Sequence, residues 1–118
     1  MAVVGLSSDP RRHSNEVASY LRSKGYRIIH VNPNETEVFG EKAYPSLLDV
    51  PDEIDAVDVF RRAEHTPEVA RQAVAVGAKV LWLQSGIVND EARRIAEEAG
   101  LDVVMGLCMM STVQAIDA

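Results

Sequence analysis

The 118-residue sequence is short of several things, and each shortage excludes something. It has one cysteine, Cys108. No internal disulfide can form, and a reducing, cytoplasmic setting is expected. No stretch approaches the roughly 18 consecutive apolar residues that a membrane span requires. No charged and apolar leader precedes the first strand-like run, so neither a membrane partner nor export is expected. Basic residues are in the minority, 12 against 18 acidic, for a formal charge of −6. That balance argues against nucleic acid, although a local basic cluster can still hold an anionic small molecule. The three histidines, His13, His30 and His65, fall in unrelated contexts with no HxH or HExxH spacing, so no metal centre is expected. There is no GxGxxG and no GxxxxGK[ST], which removes the standard dinucleotide and triphosphate loops.

What is present is an α/β alternation. Apolar residues make up 47% and charged residues 25%, ordinary values for a globular chain, and the length suits one domain over 1–118. A β-branched run from Ala2 to Leu6 breaks at Gly5, passes through a polar loop, and enters an amphipathic stretch, Glu16 to Lys24. Ser14 or Asn15 is expected to cap that helix, and Gly25 to end it. A second strand, Tyr26 to Val31, stops at Asn32-Pro33-Asn34. Glu35 to Tyr44 is polar around Gly40 and is expected to be irregular. Ser46 to Val50 suggests a helical turn anchored by Leu47 and Leu48.

A third strand, Ile54 to Phe60, ends in Arg61-Arg62. Thr66 and Pro67 should start a helix over Glu68 to Val76, with Thr66 as its cap. Lys79 to Leu83 is a fourth strand ending at Gln84-Ser85-Gly86, Asn89 caps the next helix, and Asp102 to Met105 is a fifth strand. The pattern predicts a doubly wound, five-stranded parallel sheet of order 3-2-1-4-5, with the topological switch beside strand one.

In that arrangement four loop ends open onto one edge. Gly5 permits either a close ligand approach or simply a turn. Ser7, Ser8 and Ser14 beside Arg11 and Arg12 suit an anion held at a helix N-terminus, where free N–H groups and the dipole both favour negative charge. Arg61 and Arg62 can offer charge-assisted bonds to phosphate or pair with Glu64. Asn32, Pro33 and Asn34 suit the border of a base or ribose. Asp55 and Asp58 invite an acid–base role, but the sequence supplies no second group for it. Cys108 has no identifiable base partner. No catalytic residue is assigned.

Five blocks carry a resemblance: Val3-Val4-Gly5-Leu6-Ser7-Ser8-Asp9-Pro10, Val31-Asn32-Pro33-Asn34, Gly40-Glu41-Lys42-Ala43-Tyr44-Pro45-Ser46-Leu47, Val57-Asp58-Val59-Phe60-Arg61-Arg62, and Trp82-Leu83-Gln84-Ser85-Gly86-Ile87. In this order and spacing they closely resemble the small bacterial and archaeal CoA-binding proteins. Those resemble, in turn, the CoA-binding domain of the succinyl-CoA synthetase alpha subunit. The resemblance runs from Ala2 to Cys108.

It implies a Rossmann-like fold with coenzyme A or an acyl-CoA across the C-terminal edge of the sheet. The matching positions are Gly5, Ser7, Ser8, Arg11 and Ser14 in the first loop and Val31, Asn32, Pro33 and Asn34 at the second strand end. Val59, Phe60, Arg61 and Arg62 match at the third, and Gln84 and Gly86 at the fourth. Members usually carry a helix before the first strand, so relative to them the chain is expected to be a shortened form. They also tend to have a polar pair where this chain has Gly106-Leu107. The synthetase-type catalytic histidine belongs to a further domain, so the resemblance carries over binding and not ligase activity.

The expected function is therefore non-catalytic binding of coenzyme A or an acyl-CoA. The alternatives are an enzyme or subunit acting on a CoA thioester with a partner chain, an NAD(P)-binding redox or regulatory domain, and an interaction module with an empty site. Asn32 stands where a ribose-binding acid would serve NAD, which weighs against the dinucleotide reading. The partners left open are a second copy of the chain and a ligase-type subunit.

Overall fold

The structure, a computed structural model, describes residues 1–5, 13–33, 35–38, 40–84 and 86–106. The strands are β1 (Ala2–Val4), β2 (Ile29–Val31), β3 (Glu37–Val38), β4 (Glu41–Tyr44), β5 (Ala56–Val59), β6 (Val80–Leu83) and β7 (Asp102–Met105). The helices are α1 (His13–Ser23), α2 (Thr66–Ala75) and α3 (Asp90–Glu98), with 3₁₀ turns at Leu47–Asp49 and Ala63–His65.

One sheet runs in the order β3-β4-β2-β1-β5-β6-β7. Every pairing is parallel except β3 with β4, which form an antiparallel hairpin. The class is the expected one, a doubly wound Rossmann-like sheet, but the strand count is seven rather than five. The difference lies in the segment read as irregular. Within it Val38 and Ala43 point into the core while Glu37, Glu41 and Lys42 stay exposed. So few buried positions give too short an alternation to stand out. Because β4 takes the place beside β2, the strand at Ala56–Val59 pairs with β1 instead. With β4 counted third, the parallel strands read 3-2-1-4-5-6, and the switch lies beside β1.

Alternation divides the core into two layers. Ala2, Val4, Ile29, Val31, Val57, Val59, Leu81 and Leu83 face α2 and α3 and meet Val69, Ala70, Ala73, Ala92 and Ala96. On the opposite face Val3 meets Val17, Ala18 and Leu21 of α1, with Ile28, Val38 and Ala43. β1 is buried on both sides, which is why it reads as an unbroken apolar run. Leu47 is fully buried in the first layer, burial that contributes roughly 1.5–3 kcal/mol for a side chain of this size. Leu48, expected as its companion anchor, is 60% exposed: a single 3₁₀ turn can aim only one of two adjacent side chains inward.

The helix ends hold two further corrections and one agreement. α1 begins at His13, so Ser14 and Asn15 lie buried inside its first turn rather than capping it. Thr66 lies within α2, and its hydroxyl donates to the Ala63 carbonyl at 2.6 Å, because the preceding 3₁₀ turn runs directly into the helix. Asn89 caps α3 as expected, its Oδ1 accepting from the Ala92 N–H at 2.9 Å.

Gly5 closes the end of β1. Its N–H donates to the Val31 carbonyl at 2.7 Å, and Phe60 N–H donates to the Val4 carbonyl at 2.8 Å. At φ +86° a Cβ on residue 5 would lie 2.8 Å from the Phe60 carbonyl oxygen. The glycine is thus required by a neighbouring backbone, which no side chain can move aside. Gly5→Ala is expected to destabilise by more than about 2 kcal/mol. Gly25→Ala, at φ +90° with open space around it, should cost only about 1 kcal/mol. Urea unfolding of both variants checks the difference, and equal losses would remove the Phe60 contact as the cause.

Candidate functional site

β1, β2, β4 and β5 end together on one edge of the sheet, and each exit is tied to its neighbour by backbone hydrogen bonds. Besides the pair at Gly5, Asn32 N–H donates to the Tyr44 carbonyl at 2.8 Å. Gln84 N–H, beyond β6, donates to the Val59 carbonyl at 3.3 Å.

Above this edge, on the α2 side, lies an open cleft of about 140 Å³. Val4, Val31 and Pro33 form one wall, and Val69 of α2 and Pro45 close it with further apolar surface. Arg61 and Glu68 supply its charge, and His65, Ser46 and Gln72 its other polar groups. The Gln72 carboxamide oxygen accepts from the Leu47 N–H at 3.3 Å and from the Ser46 hydroxyl at 3.4 Å, fixing the turn after β4 against α2. An apolar slot with an arginine at its side can take a flat, uncharged ring inside and an anionic group outside.

The sequence-predicted residues divide. Val31, Pro33 and Arg61 meet in the cleft, and Gly5 adjoins it, with the Arg61 Cδ passing 3.3 Å from where a Cβ on residue 5 would stand. Asn32 is half-buried at the same strand end. Arg62 does not enter: its side chain is 86% exposed and stands 4.0 Å from Glu64, the solvated pairing that was the alternative. Val59 is buried in the core beneath, and Phe60 packs on the opposite layer with α1. Ser14 is buried in the first turn of α1, and Gly86 lies beyond β6. Ser7, Ser8, Arg11 and Asn34 lie outside the described residues, as does Cys108. His65, Glu68, Val69 and Gln72 went unforeseen, because nothing local says that the first turns of α2 lean over the edge. Pro45 and Ser46 fell inside a quoted block but carried no signal of their own.

Asp58 is the unusual group. It is fully buried on β5, aligned between Val3 of β1 and Trp82 of β6. Its Oδ1 accepts a hydrogen bond from Gln84 Nε2, and its Oδ2 has no hydrogen-bond partner among the described residues. Burial pushes the carboxyl up to about 7, while the Gln84 bond pulls the other way. Gln84, expected as a ligand contact, is itself buried, and it bonds down into the sheet. His30, in the same row on β2, is also buried. Burial lowers its pKa, and Glu41, 3.9 Å from Nε2, opposes that shift.

A family model described as "CoA binding domain" matches residues 1–114. The chain belongs to this CoA-binding domain family. It is 45% identical over 109 residues to the uncharacterized protein YneT of Bacillus subtilis, covering 92% of this chain and 81% of the relative. A solved structure described as a hypothetical protein from Pyrococcus horikoshii superposes with a TM-score of 0.96. It shares 44% identity over 99% of this chain and 82% of the other. The alpha subunit of acetate–CoA ligase [ADP-forming] II of Pyrococcus furiosus is 41% identical over 120 residues. The match takes in 92% of this chain but only 26% of the subunit. Among the described residues of this CoA-binding domain, no helix is long and apolar enough to cross a membrane.

The buried carboxyl has a consequence for stability. Between the ordinary value of 3.8 and about 7, the native state holds more protons than the unfolded chain. Stability therefore falls as pH rises through that window and levels off above it, a loss on the order of 4 kcal/mol at most. Urea unfolding of wild type and Asp58→Asn from pH 4 to 8 checks this. The variant should lack the decline, and parallel curves would contradict the assignment.

Proposed function

We propose that the chain binds coenzyme A or an acyl-CoA across the C-terminal edge of the sheet, as a single domain without catalysis. The observation that carries the reading is the cleft over β1 and β2, with an apolar slot flanked by Arg61, in a chain of the CoA-binding domain family. The adenine ring suits the slot between Val31, Pro33 and Val69, and a phosphate suits Arg61. Gly5, Asn32 and Gly86 are carried as backbone-approach positions. Ser7, Ser8, Arg11 and Asn34 are proposed as polar contacts, together with Ser14 from the first turn of α1. Phe60 and Val59 support the site from beneath. Arg62, turned toward Glu64, is given a minor role. A nucleotide ligand of this kind fits a cytoplasmic protein.

A second reading has one observation in its favour. The ligase relative from Pyrococcus furiosus is named as a subunit, which supports a partner chain supplying the reacting groups for a CoA thioester. Co-purification of a ligase-type subunit, or turnover of an acyl-CoA by the isolated protein, would favour that reading over simple binding.

Calorimetry with coenzyme A and with NAD tests the proposal. Coenzyme A should bind and NAD should not. No heat with coenzyme A at millimolar concentration, or tighter binding of NAD, would overturn it. Arg61→Ala should weaken coenzyme A by about tenfold, the scale of one charge-assisted hydrogen bond, while Arg62→Ala should change it by less than about twofold.

A further inference from the structure

We infer that Asp58 is a positioning residue for the ligand edge, acting through Gln84 to fix the turn that follows β6. The inference rests on the proposed site for its consequence, but the geometry lies in the described residues. Among the described residues, three hydrogen bonds hold Gln84. Its N–H donates to the Val59 carbonyl at 3.3 Å, its carbonyl accepts from the Ile87 N–H at 2.9 Å, and its side-chain amide donates to Asp58. The Gln84–Ile87 bond draws the chain back after β6, and Gly86 just before Ile87 has φ +79°. That is the left-handed value which favours glycine in such a position. The resemblance puts Gln84 and Gly86 at the ligand edge, so on the proposed site the residue that anchors this turn also anchors one lip of it.

The chemistry of the pair sets its orientation. An ionised carboxylate only accepts, so the Gln84 amide must turn its NH₂ toward Asp58 and its carbonyl oxygen away. A protonated carboxyl can donate as well, and then either face of the amide is tolerated. Proton loss from Asp58 thereby changes the pair from two allowed orientations to one. A buried carboxylate with an unmatched Oδ2 is costly, and a wholly apolar pair of similar shape would pack here without that cost. Its place in this mostly apolar row is accounted for if it orients Gln84.

The row across the sheet runs Ala43, His30, Val3, Asp58, Trp82 and Val104. α1 presents Val17, Ala18 and Leu21 to the same layer. Within the row the other titratable group is His30, one strand beyond Val3, and its charged neighbours are Glu41 and Arg22. Burial, followed by the Gln84 bond, governs the titration of Asp58.

Two measurements separate this inference from the binding proposal. The first uses the ligand-free protein: the Gln84 side-chain amide resonances are followed by NMR from pH 5.5 to 8.5. They should move with a midpoint near neutrality in wild type and stay fixed in Asp58→Asn. An amide that does not respond to pH in wild type overturns the inference whether or not coenzyme A binds. The second is a double-variant cycle in coenzyme A affinity. Asp58→Asn, which keeps the side-chain shape, should weaken binding by about fivefold in wild type and have no further effect in Gln84→Ala. An equal effect in both backgrounds, or none in wild type, overturns the inference while leaving the binding proposal standing. Thermal unfolding of each variant accompanies the cycle, and the NMR titration of wild type stands even if a variant fails to fold.

Discussion

The close approach of two backbones at the end of β1 is the constraint on which the rest of the edge depends. Gly5 lies against the Phe60 carbonyl, near enough that no Cβ fits, and the exits of β1 and β5 are thereby locked in register. That lock brings Arg61 beside Val4 and lets the following 3₁₀ turn deliver α2 over the cleft. The glycine therefore builds the site first by bringing chain segments together. Any ligand that approaches there meets a surface already made by this contact.

Two kinds of polar interaction support that surface, and they differ in purpose. Gln72 satisfies the turn after β4 and fixes one wall of the cleft with neutral hydrogen bonds. Asp58 and Gln84 form a pair with a titratable member inside an apolar layer, where each unmatched lone pair is expensive. The first pair is ordinary support. The second makes the edge sensitive to a proton, because burial moves the carboxyl into the physiological range.

Much of the fold was legible in the sequence because its core strands are short, largely apolar, and mostly cut off by glycine or proline. β1, β2, β5, β6 and β7 lie within the stretches that the apolar runs mark. The β3–β4 hairpin was not legible, since its edge strand is two residues long and its exposed charges mask two buried positions. That one omission also moved the neighbour of β2, because strand order is a statement about what else competes for an edge. In the site, Val31, Pro33 and Arg61 could be read from strand ends, which have a known address in this sheet. His65, Glu68 and Gln72 could not, since their position depends on how α2 crosses the edge, a tertiary matter. The burial of Gln84 was invisible for the same reason: a glutamine after a strand looks equally ready to face water.

Asn89 gives the edge a mechanical property. One carboxamide caps α3 through its oxygen and, through its nitrogen, grips the Ala63 carbonyl at 2.9 Å, an oxygen that Thr66 also uses. The segment carrying Arg61 to His65 is thus clasped to the start of a helix that follows a different strand. That bond ties the rim to the start of α3, so moving one strains the other.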